Sequence, residues 1–213
     1  MIHLEEYQAG RLDLIGGDLS LDFTNTVSNH ETENPNEHLH SYVALLAWAR
    51  HTGILTSAMA LRLQRRAARE PAEAQSVLER AITLRESLYR LVLAAAAGEK
   101  AVPADLEVLN LNLAHALPHA RVVYAPEGMT WAWEYSEDAL DQVLWPVARS
   151  AANLLTSDRI GRVRECTGDT CGWLFVDASK NHSRRWCSMS DCGNRAKANR
   201  FYKRKHSAIK PIA

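Results

Sequence analysis

The sequence predicts an α+β fold: a mostly helical N-terminal domain with a small antiparallel sheet, followed by a C-terminal treble-clef-like zinc finger. Three observations carry this. Apolar residues recur at helical spacing through most of residues 40–155. Short runs around Gly16-Gly17 and Pro126-Glu127-Gly128 have the composition of strands joined by turns. Cys166, Cys171, Cys187 and Cys192 are all the cysteines of the 213 residues, and they form two pairs, with four residues inside each and fifteen between them. The expected units are residues 1–157 and residues 158–213.

Residues 11–22, RLDLIGGDLSLD, alternate apolar and polar around the two glycines, a hairpin signal, and Ser20 or Asp22 can cap a following helix. From Ser28 to His40 the chain is polar and reads as a loop of about a dozen residues. His40 to His51 places Tyr42, Leu45, Leu46 and Ala49 at helical spacing and is stopped by Gly53. Thr56 or Ser57 caps a second helix to about Arg69. Pro71 opens a long helix to Ala97, since a first-turn proline lacks only an amide that has no intrahelical partner there. A fourth helix follows Pro103, from Ala104 to Leu117. Strands Arg121 to Ala125 and Met129 to Tyr135 come next. Ser136-Glu137-Asp138 then caps a last helix through Leu155, with a kink expected at Pro146.

At 46% hydrophobic residues the chain can build a core. It has no apolar run of membrane-spanning length and no basic start followed by an apolar stretch. No membrane partner is therefore expected, and the localisation expected is cytoplasmic. Thiols stay reduced there, which favours zinc over disulfides.

A net charge of zero conceals an asymmetry. Residues 1–156 carry 12 Lys+Arg against 20 Asp+Glu, and residues 157–213 carry 13 against 5. A basic segment coincident with a metal site is the footprint of a nucleic-acid binder, or of a tail that docks on an acidic domain. Four cysteines fill a tetrahedral sphere and leave no open position for chemistry, so one structural Zn2+ is expected at Cys166, Cys171, Cys187 and Cys192.

In the segment between the pairs, GWLFVDAS reads as a strand, KNHS as a turn and RRWC as a return strand. A helix then begins at the last two ligands. On it Lys197, Arg200, Lys203 and Arg204 occupy one arc of about 120°. Ala198, Phe201 and Tyr202 adjoin that arc and can pack on Trp173 and Phe175. Asn199 and Arg195 lie beyond its other edge, within reach of base edges. Lys180, Arg184 and Arg185 widen the cationic face. The bland alternative is a solvated cationic helix.

Other features leave two readings open. Trp48, Trp131, Trp133 and Trp145 line a pocket or fill the core. His30, His38 and His40 with nearby glutamates hold a second metal or belong to a solvated loop. An acid/base pair of Asp22 with His115 or His30 is the weakest candidate, because nothing fixes its geometry.

The run Arg184-Arg185-Trp186-Cys187-Ser188-Met189 followed by Cys192-Gly193-Asn194-Arg195 resembles the signature of the CGNR zinc-finger family. The N-terminal GGDLSLDFTNTV is similar to the start of the ABATE domain, described as a stress-induced transcription regulator. The resemblance implies zinc on the four cysteines, DNA as partner of the last helix, and an N-terminal domain that senses a small-molecule effector; the alternative role for that domain is to form a homodimer, since a single finger buries little surface. Asp22 and Asn25 fall in the ABATE motif, as effector ligands or as a cap and a brace. The rival function is an RNA- or protein-binding module with the finger as scaffold. No catalytic residues are expected.

Overall fold

Capping chemistry sets most of the helices. The structure, a computed structural model, describes residues 7–30, 32–135 and 139–207. A short helix α1 (Leu19–Thr24) is capped by Asp18, whose Oδ1 accepts from the Ser20 N–H at 3.2 Å. In α2 (Tyr42–His51) the Ser41 hydroxyl accepts from the Ala44 N–H, and in α3 (Ser57–Arg69) Thr56 accepts from Met59. Helix α4 (Pro71–Ala97) has Pro71 in its first turn and ends at Gly98 with φ 72°. Helices α5 (Pro103–Ala116) and α6 (Leu144–Leu155) complete the helical part. No helix among the described residues is long and apolar enough to cross a membrane.

Helix α2 is the centre of the core. Ala44 to Ala49 are fully buried, as expected of a helix apolar on all sides. Leu63 of α3, Leu84 and Leu88 of α4 and Val147 and Ala148 of α6 belong to the same cluster. Arg85 of α4 is 2% exposed. It grips Glu37 with two hydrogen bonds of 2.7 and 2.6 Å and reaches Glu86 at 2.9 Å. Burial alone would raise the Glu37 carboxyl, but the hydrogen bond and charge of Arg85 hold it below its ordinary value.

Three two-stranded antiparallel sheets are formed among the described residues. In the polar loop β1 (Val27–Ser28) pairs with β2 (Asn36–Glu37), so that segment is a miniature hairpin tied down by Arg85. Strands β3 (Ala120–Ala125) and β4 (Gly128–Trp133) form the predicted hairpin. Strands β5 (Val163–Glu165) and β6 (Leu174–Val176) belong to the metal-bearing part, which ends in α7 (Asn194–Ser207).

Two local expectations are corrected. Residues 11–22 form no hairpin. Gly17, at φ 73°, turns the chain into α1 one residue after Gly16, so Ser20 and Asp22 lie inside that helix and Asp18 is the cap. Pro146 is the third residue of α6, where its missing N–H would have no acceptor within the helix, and it demands no kink. That helix is instead led in by a 3-10 turn, Leu140–Val143. The expected cap Ser136-Glu137-Asp138 lies outside the described residues.

Candidate metal centre and nucleic-acid interface

The ladder of β5 and β6 pairs Val163 with Val176, Arg164 with Phe175 and Glu165 with Leu174. The Cys166 N–H then donates to the Trp173 carbonyl at 2.8 Å, closing a knuckle that carries Cys166 and Cys171. Gly172 follows at φ 70°, and an added Cβ there would lie 3.2 Å from the His30 Cβ. The partner of the GWLFVDAS strand is thus the segment before Cys166. The expected return strand RRWC is absent among the described residues. Asp177 organises that stretch, a role not anticipated from the sequence. One carboxylate oxygen accepts from the Ser179 N–H at 2.8 Å and the other from the Arg184 N–H at 3.0 Å. The Asp-x-Ser pattern of an Asx turn is the signal that could have found it.

Cys187 arrives from this held segment, and Cys192 sits in a wide turn, Met189–Gly193, that leads into α7. The four sulfurs lie within 4.8 Å of one another, and all four residues are buried. Cys171 and Cys187 are 3.6 Å apart through sulfur, and Cys187 and Cys192 3.5 Å. A tetrahedral zinc with Zn–S bonds near 2.3 Å needs sulfurs about 3.7 Å apart, so the residues present fit that ion. With protons shared among the sulfurs, hydrogen bonds with Cys171 and Cys187 draw the Cys166 thiol down to about 2. The hydrogen bond with Cys166 pushes Cys171 up to about 12. A dication takes the place of those shared protons.

Further donors surround the sulfurs. The Cys187 N–H points at the Cys166 sulfur at 3.3 Å, and Arg195 Nη2 donates to the Cys192 sulfur at 3.1 Å. That hydrogen bond raises the Arg195 guanidinium above its usual range. Four thiolates on a dication leave a charge of about −2, which Arg195 and the N-terminal end of α7 offset.

The cationic residues divide by role. Lys180, Arg185, Arg195, Lys197, Asn199, Arg200, Lys203 and Arg204 are exposed. Arg184 departs from the expected face. It is half-buried, donates to the carbonyls of Trp186 and Cys187, and lies 4.2 Å over the Phe175 ring. Its charge braces the metal site from within. Asn199 donates to Asp169 at 3.0 Å, tying α7 to the knuckle. The expected packing of α7 on Trp173 and Phe175 is also corrected. Phe201 and Tyr202 are 65% and 60% exposed. Phe175 is taken by the cysteine cluster and Arg184, and Trp173 donates to the Val27 carbonyl and the Ser28 hydroxyl.

Asn25 meets the finger directly, and Asp22 meets it through Gly16. Asp22 Oδ1 accepts from the Gly16 N–H at 2.8 Å, and the Gly16 carbonyl accepts from the Val176 N–H at 2.8 Å. An added Cβ on Gly16 would lie 2.8 Å from the Leu21 Cβ, so glycine is required there. Both polar groups of the Asn25 carboxamide are bonded to the Leu174 backbone. Leu21, Tyr89, Val92, Leu154, Val163 and Leu174 form one apolar cluster beneath this seam.

The tryptophans and histidines take structural places. Trp48 packs on Phe23 and Trp145 on His119, both tryptophans buried, while Trp131 is 49% exposed, so the four tryptophans share no pocket. His30 stacks on Tyr89 and bonds to Glu86 at 2.8 Å, and His38 is buried against Ser28. Among the described residues only the four cysteines group as metal ligands. An apolar cavity of about 490 Å³ lies elsewhere, between the start of α2 and the α3–α4 corner. Val43, Leu61 and Ala74 line it, with His40 and Arg65 among its polar members. No sequence signal marked it.

The helical domain and the four-cysteine knuckle at the head of a cationic helix define a zinc-finger protein. Residues 17–158 match ABATE, described as "Putative stress-induced transcription regulator", and residues 162–205 match the CGNR zinc finger. The chain belongs to the ABATE family and carries one structural zinc site of the CGNR type. No curated protein matches it.

Proposed function

We propose that this protein is a cytoplasmic, DNA-binding transcription regulator in which a treble-clef finger, residues 158–213, presents α7 to the duplex and residues 1–157 carry the regulatory input. One observation carries the reading: α7 starts in the turn that holds Cys192, and the side chains of Lys197, Arg200, Lys203 and Arg204 on it are exposed. Zinc supplies folding energy at this site and no reaction chemistry. Cys192 and Arg195 fix where the helix begins, and the exposed arc then meets phosphates while Arg195 and Asn199 lie nearest the base edges. Arg184 belongs to the support of this surface.

The effector site in this reading is the cavity at the α3–α4 corner. Its apolar walls and the Arg65 guanidinium suit a small, largely apolar molecule with one anionic group.

The test is selection of bound sequences from a random duplex pool, with and without a zinc chelator. Enrichment that disappears with chelator is expected; no enrichment in either arm sinks the DNA reading. Phe201 and Tyr202, exposed and 6.1 Å apart edge to face, favour a second reading in which α7 stacks on unpaired bases. Preference for a single-stranded competitor over the duplex pool would identify it.

A further inference from the structure

The β3–β4 hairpin extends an apolar face beyond the core that its inner end packs on. Its register sets Val122 opposite Trp131 and Tyr124 opposite Met129. Directly opposed residues share a face, and so do residues two apart on one strand. All four side chains therefore lie together on one side of the ribbon. Their exposures are 58%, 49%, 80% and 75% for Val122, Trp131, Tyr124 and Met129. A one-sided antiparallel sheet ordinarily turns its apolar face to the core and its polar face to water. Here the face runs from Trp133, 6.3 Å from the buried Trp145, out to these four residues, which extend past the core into water.

We propose that this face is a homodimer interface, packed across a two-fold axis on the same face of a second copy of the chain. The area fits. The four side chains expose on the order of 500 Å² per chain, and two copies together reach the roughly 1,000 Å² that a specific interface needs. The chemistry fits a like partner better than a nucleic acid or a charged protein, because none of the four residues is charged. The nearest cations are already engaged: Arg121 pairs with Glu134 at 2.5 Å, and Arg149 lies 4.0 Å over the Trp131 ring. Strand β4, Gly128–Trp133, also lacks the lysine, proline or inward charge that commonly protects a solvent-facing edge.

Geometry sets the arrangement. A two-fold axis makes a patch self-complementary, each residue type meeting the same set on the other copy. Packing the ribbons antiparallel lays the Tyr124–Met129 end of one over the Val122–Trp131 end of the other. It also sends the two Glu127 turns to opposite ends, where their charges do not meet. The aromatic rings at both ends supply the large, rigid contact area that dominates interface energetics. The proposal stands apart from DNA binding, although a dimer would present two α7 helices to a paired site.

The experiment is sedimentation equilibrium of the zinc-loaded full chain, without DNA, from low micromolar concentration upward. The expected mass is that of two 23.8 kDa chains. Tyr124→Glu with Met129→Glu should raise the dimer dissociation constant roughly 100-fold or more. Thr130→Glu, on the opposite face of the same ribbon, should leave the dimer intact. If the double variant fails to give the wild-type far-UV spectrum, Met129→Lys at the open end of the face serves in its place. A wild type that sediments as a single chain throughout overturns the proposal, as does a dimer that persists in a folded face variant. Both readings are taken without DNA, so neither depends on whether the finger binds it.

Discussion

The carboxamide of Asn25 acts as a piece of β-strand for Leu174. Its Nδ2 donates to the Leu174 carbonyl at 2.9 Å, and its Oδ1 accepts from the Leu174 N–H at 2.8 Å. Strand β6 thus has β5 on one side and an asparagine side chain on the other. Gly16 bonds to Val176, and Asn29 to Cys171, along the same seam. The glycine-rich N-terminal motif is a seat for the finger, and the Asn25 carboxamide and Asp22 Oδ1 are occupied in making it.

Asn25→Ala removes both partners of a buried backbone pair. The expected loss is about 2–4 kcal/mol, the sum for one donor and one acceptor left without water or protein. Urea unfolding of the zinc-loaded chain measures it. Zinc release on heating should come at a lower temperature in the variant, since an unseated β6 no longer holds the knuckle. A loss under about 0.5 kcal/mol, the scale of an ordinary surface change, would show that the seam is not under load.

Chelation should act on the C-terminal part more than on the helical core. The cysteine cluster draws on Phe175, Trp173 and Trp186, whereas the large cluster around α2 contains no residue of the finger. Removing zinc or changing Cys192→Ser is expected to lose the helical signal of α7 and keep that of α2 to α6. Trp173 reports the seam, because its indole N–H donates to the Val27 carbonyl at 3.1 Å. Its emission should shift to the red when the knuckle opens, and Trp173→Phe should abolish that change. Complete unfolding on chelation would mean that the helical part cannot stand without the finger.

Much of the fold is legible in the sequence. Pro71 and Gly98 bracket α4 because a missing amide and a left-handed φ are local requirements that no tertiary context rewrites. Cysteine spacing reveals the metal site for the same reason: short loops force paired ligands to converge. The departures fall where pairing is non-local. The second edge of the strand at Leu174–Val176 is bonded by the Asn25 side chain and the Gly16 carbonyl, about 150 residues away or more, and nothing within the window around Trp173 records this. Arg184 departs from expectation for a related reason. An arginine between two cysteines has the same appearance in sequence whether it faces phosphate or two carbonyl oxygens of its own chain.

Asp22 gives a pH signature with a definite sign. Burial is the main cause that raises its carboxyl from 3.8 to about 6, against the lowering effect of the Gly16 N–H. The folded chain then holds a proton that the unfolded chain gives up, and stability falls as pH rises through that interval. Asp22→Asn keeps an acceptor for Gly16 and deletes the charge. The variant should be more stable than wild type by about 1–2 kcal/mol near pH 8, a figure reduced for the partial exposure of the group, and equal to it near pH 4. Paired urea titrations at the two pH values decide it. A variant that is weaker at pH 8 would assign the ionised carboxylate a stabilising partner that the seam does not contain.

Arg184 and the pair Lys197 with Arg200 should separate support from DNA contact. Arg184 donates to two carbonyls beside Cys187 and stacks on Phe175, so Arg184→Ala is expected to weaken zinc retention and lower the melting temperature before any DNA is added. Lys197 and Arg200 are exposed on α7, and Arg200 gives the fold little, a 3.3 Å hydrogen bond to the Ala196 carbonyl and a long 5.9 Å approach to the Trp186 ring. The double change Lys197→Ala with Arg200→Ala should leave zinc retention and melting as in wild type. On duplex DNA it should reduce affinity across all sequences and flatten the slope of log affinity against log salt by about 2, one for each cation that no longer meets a phosphate. The reverse pattern, a stable Arg184 variant and an unstable α7 double variant, would place the structural charge on the helix and return Arg184 to the binding face.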